Sequence, residues 1–233
     1  MAGNLSEIPA DALAEASGSP WTSEPACTSE EAWNGASAHP DDELSVATRA
    51  DAPELLELLR AAYEPIRQLG IQFTAVTADL PLVERIIRRH TTFILRRGGA
   101  IIGTVSVRFP WAGDESHITS YPFIHWFAVT PELKRQSIGN RILDQVEDTF
   151  LRDQVKAPAV YLATATRHPW LVGIYERRGY EGFYKHISKG DEVLYLRKIL
   201  NPELYAELAE PERKRFAEAT LHAEQANSTS TLR

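Results

Sequence analysis

A mixed α/β fold is what the sequence predicts, and three observations carry that prediction. From Leu44 onward the hydrophobic period switches repeatedly between strand-like and helix-like, giving the order βααβββαβαββ. Two pairs of β-rich runs are joined through glycine-containing turns, Gly98-Gly99 and Lys189-Gly190-Asp191, which mark antiparallel hairpins. One run, Tyr121 to Val129, is aromatic or aliphatic on both alternating faces, the pattern of a central strand covered on each side.

Each element has a local reason. Leu44 to Thr48 alternates as a short strand, and Asp51-Ala-Pro-Glu54 then supplies an N-cap, an early proline and a first-turn acid before Leu55, Leu56, Leu58 and Leu59. After Gly70, Asp79 to His90 places Leu80, Leu82, Val83, Ile86 and Ile87 at helical spacing, with Arg85, Arg88 and Arg89 outward. Thr91 to Leu95 and Ala100 to Phe109 make the first hairpin. Ile138, Ile142, Val146 and Phe150 recur every four residues, predicting an amphipathic helix from Ser137 that gives Arg141 and Asp148 to solvent. Val160 to Thr164 is a strand, Pro169 to Arg178 a helix stopped before Gly179, and Gly182 to Ser188 with Val193 to Ile199 the closing hairpin. Asn201 to Gln225 reads as charged helix broken at Pro202 and Pro211, with a frayed Ser/Thr-rich end.

Composition narrows the function classes. The 233 residues, 43% hydrophobic and 24% charged, are sufficient for one sizeable core, which excludes fibrous and wholly disordered proteins. A lone Cys27 excludes an internal disulfide, and His90, His117, His186 and His222 lack ligand spacing, so no metal site is expected. No apolar run reaches about eighteen residues and no basic N-terminal signal precedes one, so a cytoplasmic protein without a membrane partner is expected. The net charge of -7 is uneven: Glu7, Asp11, Glu15, Glu24, Glu30, Glu31, Asp41, Asp42 and Glu43 precede the first Lys or Arg, leaving 23 acidic against 25 basic residues. Residues 1–43 therefore read as an acidic, disordered leader, in which Trp21 and Trp33 are costly to leave in water. Residues 44–200 form the expected domain and 201–233 a helical extension with its tail; neither half is basic enough to bind nucleic acid.

Two segments carry chemistry. In His125-Trp-Phe-Ala-Val129-Thr-Pro-Glu132-Leu-Lys134-Arg-Gln-Ser137-Ile-Gly139-Asn-Arg-Ile-Leu143, a strand feeds a turn that opens a helix. The first turn of a helix offers unpaired N–H groups and the positive end of its dipole, which suits a diphosphate. Gly139 removes a Cβ from the approach, and Lys134 and Arg135 add positive charge at the rim. In His168-Pro-Trp-Leu171-Val-Gly-Ile-Tyr175-Glu-Arg-Arg-Gly179-Tyr180, a helix ends at a glycine that fixes where Tyr175 points.

Together these segments make residues 44–200 similar to the GNAT superfamily of acetyl-CoA-dependent N-acyltransferases. The resemblance implies a central, mostly antiparallel mixed sheet flanked by helices and splayed at the acyl-CoA site. It implies acetyl transfer from acetyl-CoA to a small-molecule amine acceptor by direct attack in a ternary complex. A non-catalytic or autoinhibited acyl-CoA-binding module, or transfer to a protein or peptide amine, are the alternatives. On the resemblance, Lys134, Arg135, Gln136, Ser137, Ile138, Gly139 and Asn140 hold the diphosphate. Phe127, Ala128 and Val129 hold the pantetheine arm through their backbone, with His168 beside it. Tyr175 gives the leaving sulfur its proton, and His125 takes the proton of the substrate ammonium or simply lines the cleft. Departures from the pattern are Lys134 for Gln or Arg, Ser137 for the first glycine, His168 for Asn and Leu171 for a small Ala. Tyr63, Phe73, Trp111, Asp114, Glu115, Tyr121 and Phe123 fall where the family builds its acceptor pocket, and each aromatic reads equally well as core. A homodimer is common among similar proteins.

Overall fold

The computed structural model describes residues 39–112, 120–168, 170–188 and 190–208. Seven strands form one sheet: β1 (Asp42–Val46), β2 (Thr91–Arg97), β3 (Ala100–Arg108), β4 (Phe123–Val129), β5 (Ala159–Ala165), β6 (Glu181–Ser188) and β7 (Asp191–Ile199). They lie in the order β1-β2-β3-β4-β5-β7-β6. Neighbours are antiparallel except β4 and β5, which are parallel. The helices are α1 (Ala52–Gln68), α2 (Leu80–Arg89), α3 (Ile138–Asp144, continued as a π-helix over Gln145–Gln154), α4 (Leu171–Arg177) and α5 (202–208). The observed order is the expected βααβββαβαββ, with the mixed, mostly antiparallel sheet flanked by helices.

Local chemistry explains the turns. Gly98 and Gly99 both have positive φ, 56° and 85°, as a two-residue hairpin loop demands. The α2 start is capped by Asp79, whose carboxylate accepts from the Leu82 N–H at 2.9 Å. The α1 start differs from expectation: Asp51 reaches back to Thr48, accepting from its N–H at 2.6 Å and its hydroxyl at 2.8 Å across a short 3₁₀ turn.

Leu55, Leu56, Leu58 and Leu59 of α1 and Val83 of α2 bury against Ile94, Ile101, Trp126 and Ala128 of the sheet. Each such leucine contributes roughly 2 kcal/mol. The opposite face is covered by α3, so closely at Gly103 that a Cβ there would stand 2.5 Å from Ile142 Cδ1.

Three expectations are corrected. Asp42, assigned to the leader, begins β1; its buried carboxylate is bound by Arg97 at 2.6 Å and Arg141 at 2.7 Å. Burial alone would raise its pKa, but the two guanidiniums hold it below the usual carboxylate range. Arg141 is therefore tied to β1 and not given to solvent. The four-residue spacing of α3 also fails at its end, because the π-helix adds a residue to the turn. Leu151 then takes the fully buried position in place of Phe150, and Glu147 turns into the interior. The expectations for residues 1–38 and 209–233, with Trp21 and Trp33, lie outside the described residues.

Candidate active site

The central strand changes face. Before Trp126, His125 pairs with Ser106 and Phe123 with Arg108; after it, Ala128 pairs with Thr104 and Val129 with Gly103. One extra residue has entered β4, and Trp126 takes the left-handed conformation, φ 52°. Because side chains alternate along a strand, this bulge puts Phe123 and His125 on the α1–α2 face and Phe127 and Val129 on the α3 face. The Trp126 indole closes the bulge by donating to Thr74 Oγ1 at 3.2 Å.

Beyond the bulge the sheet parts. The β4–β5 ladder holds at the single pair Phe123↔Tyr161, so the strands diverge toward their C-terminal ends. The gap opens into a cavity of about 1140 Å³, bordered by residues 123–129 of β4 and 162–164 of β5. Thr164 Oγ1 and His168 Nδ1, on residues of the cavity wall, are among the side-chain atoms buried without a hydrogen-bond partner among the described residues. Burial also pushes the His168 pKa down, keeping the ring neutral.

On the α3 side the cavity reaches the turn before α3. Arg135 and Ser137 have φ of 67° and 57°, a conformation that L-residues rarely adopt, between residues with negative φ. Such alternation points successive N–H groups toward one concave spot, an anion nest. Leu133, Lys134, Arg135, Ser137, Ile138, Gly139 and Asn140 border the cavity; Gln136 is exposed and does not. Gly139 is also required by packing, since a Cβ there would meet Phe127 Cζ at 2.9 Å.

Tyr175 and Tyr63 stand in the cavity wall. The Tyr63 hydroxyl donates to the carbonyl of Phe127 at 3.1 Å, within the bulge. Burial, with the nearby Glu147 charge, raises the Tyr175 pKa far above that of a free phenol, so it stays protonated. Glu147 is itself fully buried and accepts from Tyr180 Oη at 2.9 Å, Arg178 at 3.0 Å and Lys198 at 2.5 Å.

On the other face, His125 Nε2 lies 2.9 Å from His90 Nδ1, the rings edge to face at 85°. Burial first, then His90 and Arg108, hold the His125 pKa well below that of free imidazole. His125 is therefore neutral and able to accept a proton at neutral pH.

The profile of the acetyltransferase (GNAT) family matches residues 52–180, more than half of the chain. The chain belongs to that family. Its fold agrees: the solved PaiA N-acetyltransferase of Thermoplasma acidophilum, in complex with coenzyme A, superposes with a TM-score of 0.53 at 13% identity over 68% of this chain and 98% of its own. Two Bacillus subtilis (strain 168) proteins are much nearer in sequence. An S-alkylcysteine N-acetyltransferase is 43% identical over 71% of this chain and 93% of its own length. An S-(2-succino)cysteine N-acetyltransferase is 43% identical over 68% of this chain and 96% of its own length.

In this GNAT acetyltransferase, the cavity brings together Tyr63, Phe73, Phe123, His125, Phe127, Ala128, Val129, His168 and Tyr175 with the turn residues named above. It does not include Trp111, which is 75% exposed and stacked on Phe109, or Tyr121, which packs with Ala159 and Tyr161 in a separate cluster. Asp114 and Glu115 lie outside the described residues. Sequence reasoning missed Glu147, Thr164 and the His90–His125 pair. His90 and His125 are 35 positions apart, the first capping the end of α2 and the second on β4, so nothing local in the sequence pairs them.

Proposed function

We propose that the enzyme moves the acetyl group of acetyl-CoA to the α-amino group of a small S-substituted cysteine. The observation that carries this reading is the bulge at Trp126, which gives one strand a cofactor face and an acceptor face joined through the β4–β5 gap. The two Bacillus subtilis relatives, both named for S-substituted cysteines, support the acceptor class.

The site fits coenzyme A on its own terms. The nest at 134–140, with Lys134 and Arg135 free of ion-pair partners among the described residues, suits a diphosphate. The orphaned Thr164 hydroxyl and His168 Nδ1 suit the amides of a pantetheine arm in the gap. Bound acetyl-CoA supplies the carbonyl carbon to which the amine nitrogen bonds as the C–S bond breaks. Tyr175 donates its phenolic proton to the departing sulfur and is reprotonated by the second proton the amine nitrogen loses as the amide forms; its hydroxyl has no hydrogen bond to the described residues to compete. His125 accepts the ammonium proton, with His90 placed to pass it on.

The test is coenzyme A release with product mass spectrometry over S-methylcysteine, S-benzylcysteine, polyamines, arylalkylamines and peptide N-termini. N-acetylated S-substituted cysteine as the preferred product supports the reading. Preferred acetylation of polyamines or peptides overturns it.

A further inference from the structure

We propose that Arg108, Phe123, Tyr184 and Tyr195 form the acceptor subsite, Arg108 binding the carboxylate of an α-amino acid and the three rings holding its thioether substituent. This rests on the acceptor class proposed above and specifies which residues read it.

The four residues come from β3, β4, β6 and β7 and converge on the face that carries His125. Arg108 is the ladder partner of Phe123, and its guanidinium carbon lies 4.9 Å over the centre of that ring. The Phe123 ring is 6.0 Å from that of Tyr195, which is 5.8 Å from that of Tyr184. Ring contact across the intervening β5 requires all of them to stand on one face of the sheet. Phe123 precedes His125 by two residues, so the Arg108–Phe123 pair sits one strand repeat, about 7 Å, from the proton acceptor.

That spacing matches the ligand. An α-amino acid carries amine and carboxylate on one carbon, so aiming the amine at His125 places the carboxylate within reach of a long side chain one repeat away. A guanidinium stacked on a ring presents its N–H donors at its edge, and five donors allow a bidentate carboxylate beside protein contacts. The Arg108 charge reaches this position: it adds to the lowering of the His125 pKa and opposes the rise that burial gives Tyr195. Among the cations that border the cavity, Arg178 and Lys198 are held by Glu147, and Lys134 and Arg135 belong to the nest on the opposite face; Arg108 reaches the cavity through Phe123, which borders it. Thioether sulfur packs favourably against aromatic rings at about 5 Å, which the Phe123–Tyr195–Tyr184 row provides.

The test compares three acceptors that differ in one group: S-methylcysteine, its carboxamide, and 2-(methylsulfanyl)ethylamine, which has neither. For the unmodified enzyme kcat/KM should favour the carboxylate by about tenfold or more over both others. Arg108→Gln should remove that preference, lowering kcat/KM for S-methylcysteine about tenfold or more relative to that for the ethylamine, chiefly through KM, with the KM of acetyl-CoA within about twofold. Arg108→Lys should restore part of the preference, because charge without the fork geometry remains. No preference in the unmodified enzyme, which needs no variant to fold, overturns the subsite. So does an equal loss on all three acceptors in Arg108→Gln. If the unmodified enzyme acetylates no S-substituted cysteine at all, the acceptor class falls and the subsite with it.

Discussion

His125 and Phe127 are two residues apart on one strand and point to opposite faces of the sheet, because Trp126 between them adopts φ 52°. Without that bulge, alternation would put both side chains on one face. Trp126→Phe keeps the buried ring and loses the Thr74 hydrogen bond, so it should cost about 1 kcal/mol. Trp126→Val adds a β-branched residue in the left-handed region to the lost volume, and should cost about 3 kcal/mol or more. Urea unfolding of the two variants checks the order; equal costs would contradict the strained bulge.

Ser137 is a second residue held at positive φ, where glycine would be at ease. Left-handed geometry costs an L-residue about 1–2 kcal/mol, and glycine gives back part of that as chain entropy. Ser137→Gly should therefore raise stability by about 0.5–1 kcal/mol in urea titrations and retain turnover. A loss of stability would show that the serine side chain, and not the backbone shape, is what the turn uses.

Tyr175→Phe removes the hydroxyl proposed to protonate the leaving sulfur and leaves the ring packing on Tyr180. Turnover should fall by about a hundredfold, with the Kd of acetyl-CoA unchanged in calorimetric titration. Retained turnover would take the acid role away from Tyr175.

Much of this was legible in the sequence, and the gaps have physical causes. Period switching and paired glycines gave the element order because hairpin turns and amphipathic faces are local properties. That the Lys134–Asn140 turn, apart from Gln136, and Tyr175 border one cavity was expected from the family spacing of their neighbours. The bulge at Trp126 was not, since an inserted residue leaves no mark in a run that is apolar on both faces. Glu147 was hidden for a related reason: four-residue periodicity assigns it to the flank of α3, and the π-helix rotates it inward. Trp111 and Tyr121 were placed near the pocket by chain order, but their rings pack on Phe109 and Tyr161 instead.

The pH dependence follows from His125. In the proposed mechanism its neutral form accepts the proton, and its pKa lies well below the usual 6.5, through burial first and then His90 and Arg108. With acceptor saturating, kcat should thus begin to fall only well below pH 6.5, as His125 becomes protonated. His90→Asn removes one of the opposing influences and should move that midpoint upward. A midpoint at or above 6.5 that answers to neither His90→Asn nor His125→Asn would contradict the role.

The most direct measurement is a high-resolution crystal structure of the full chain soaked to saturation with coenzyme A. The account predicts the diphosphate against the amides of residues 135–140 and the thiol in the β4–β5 gap between Tyr175 and His125. A thiol lying elsewhere, or a 134–140 turn filled by the protein's own side chains, would contradict it.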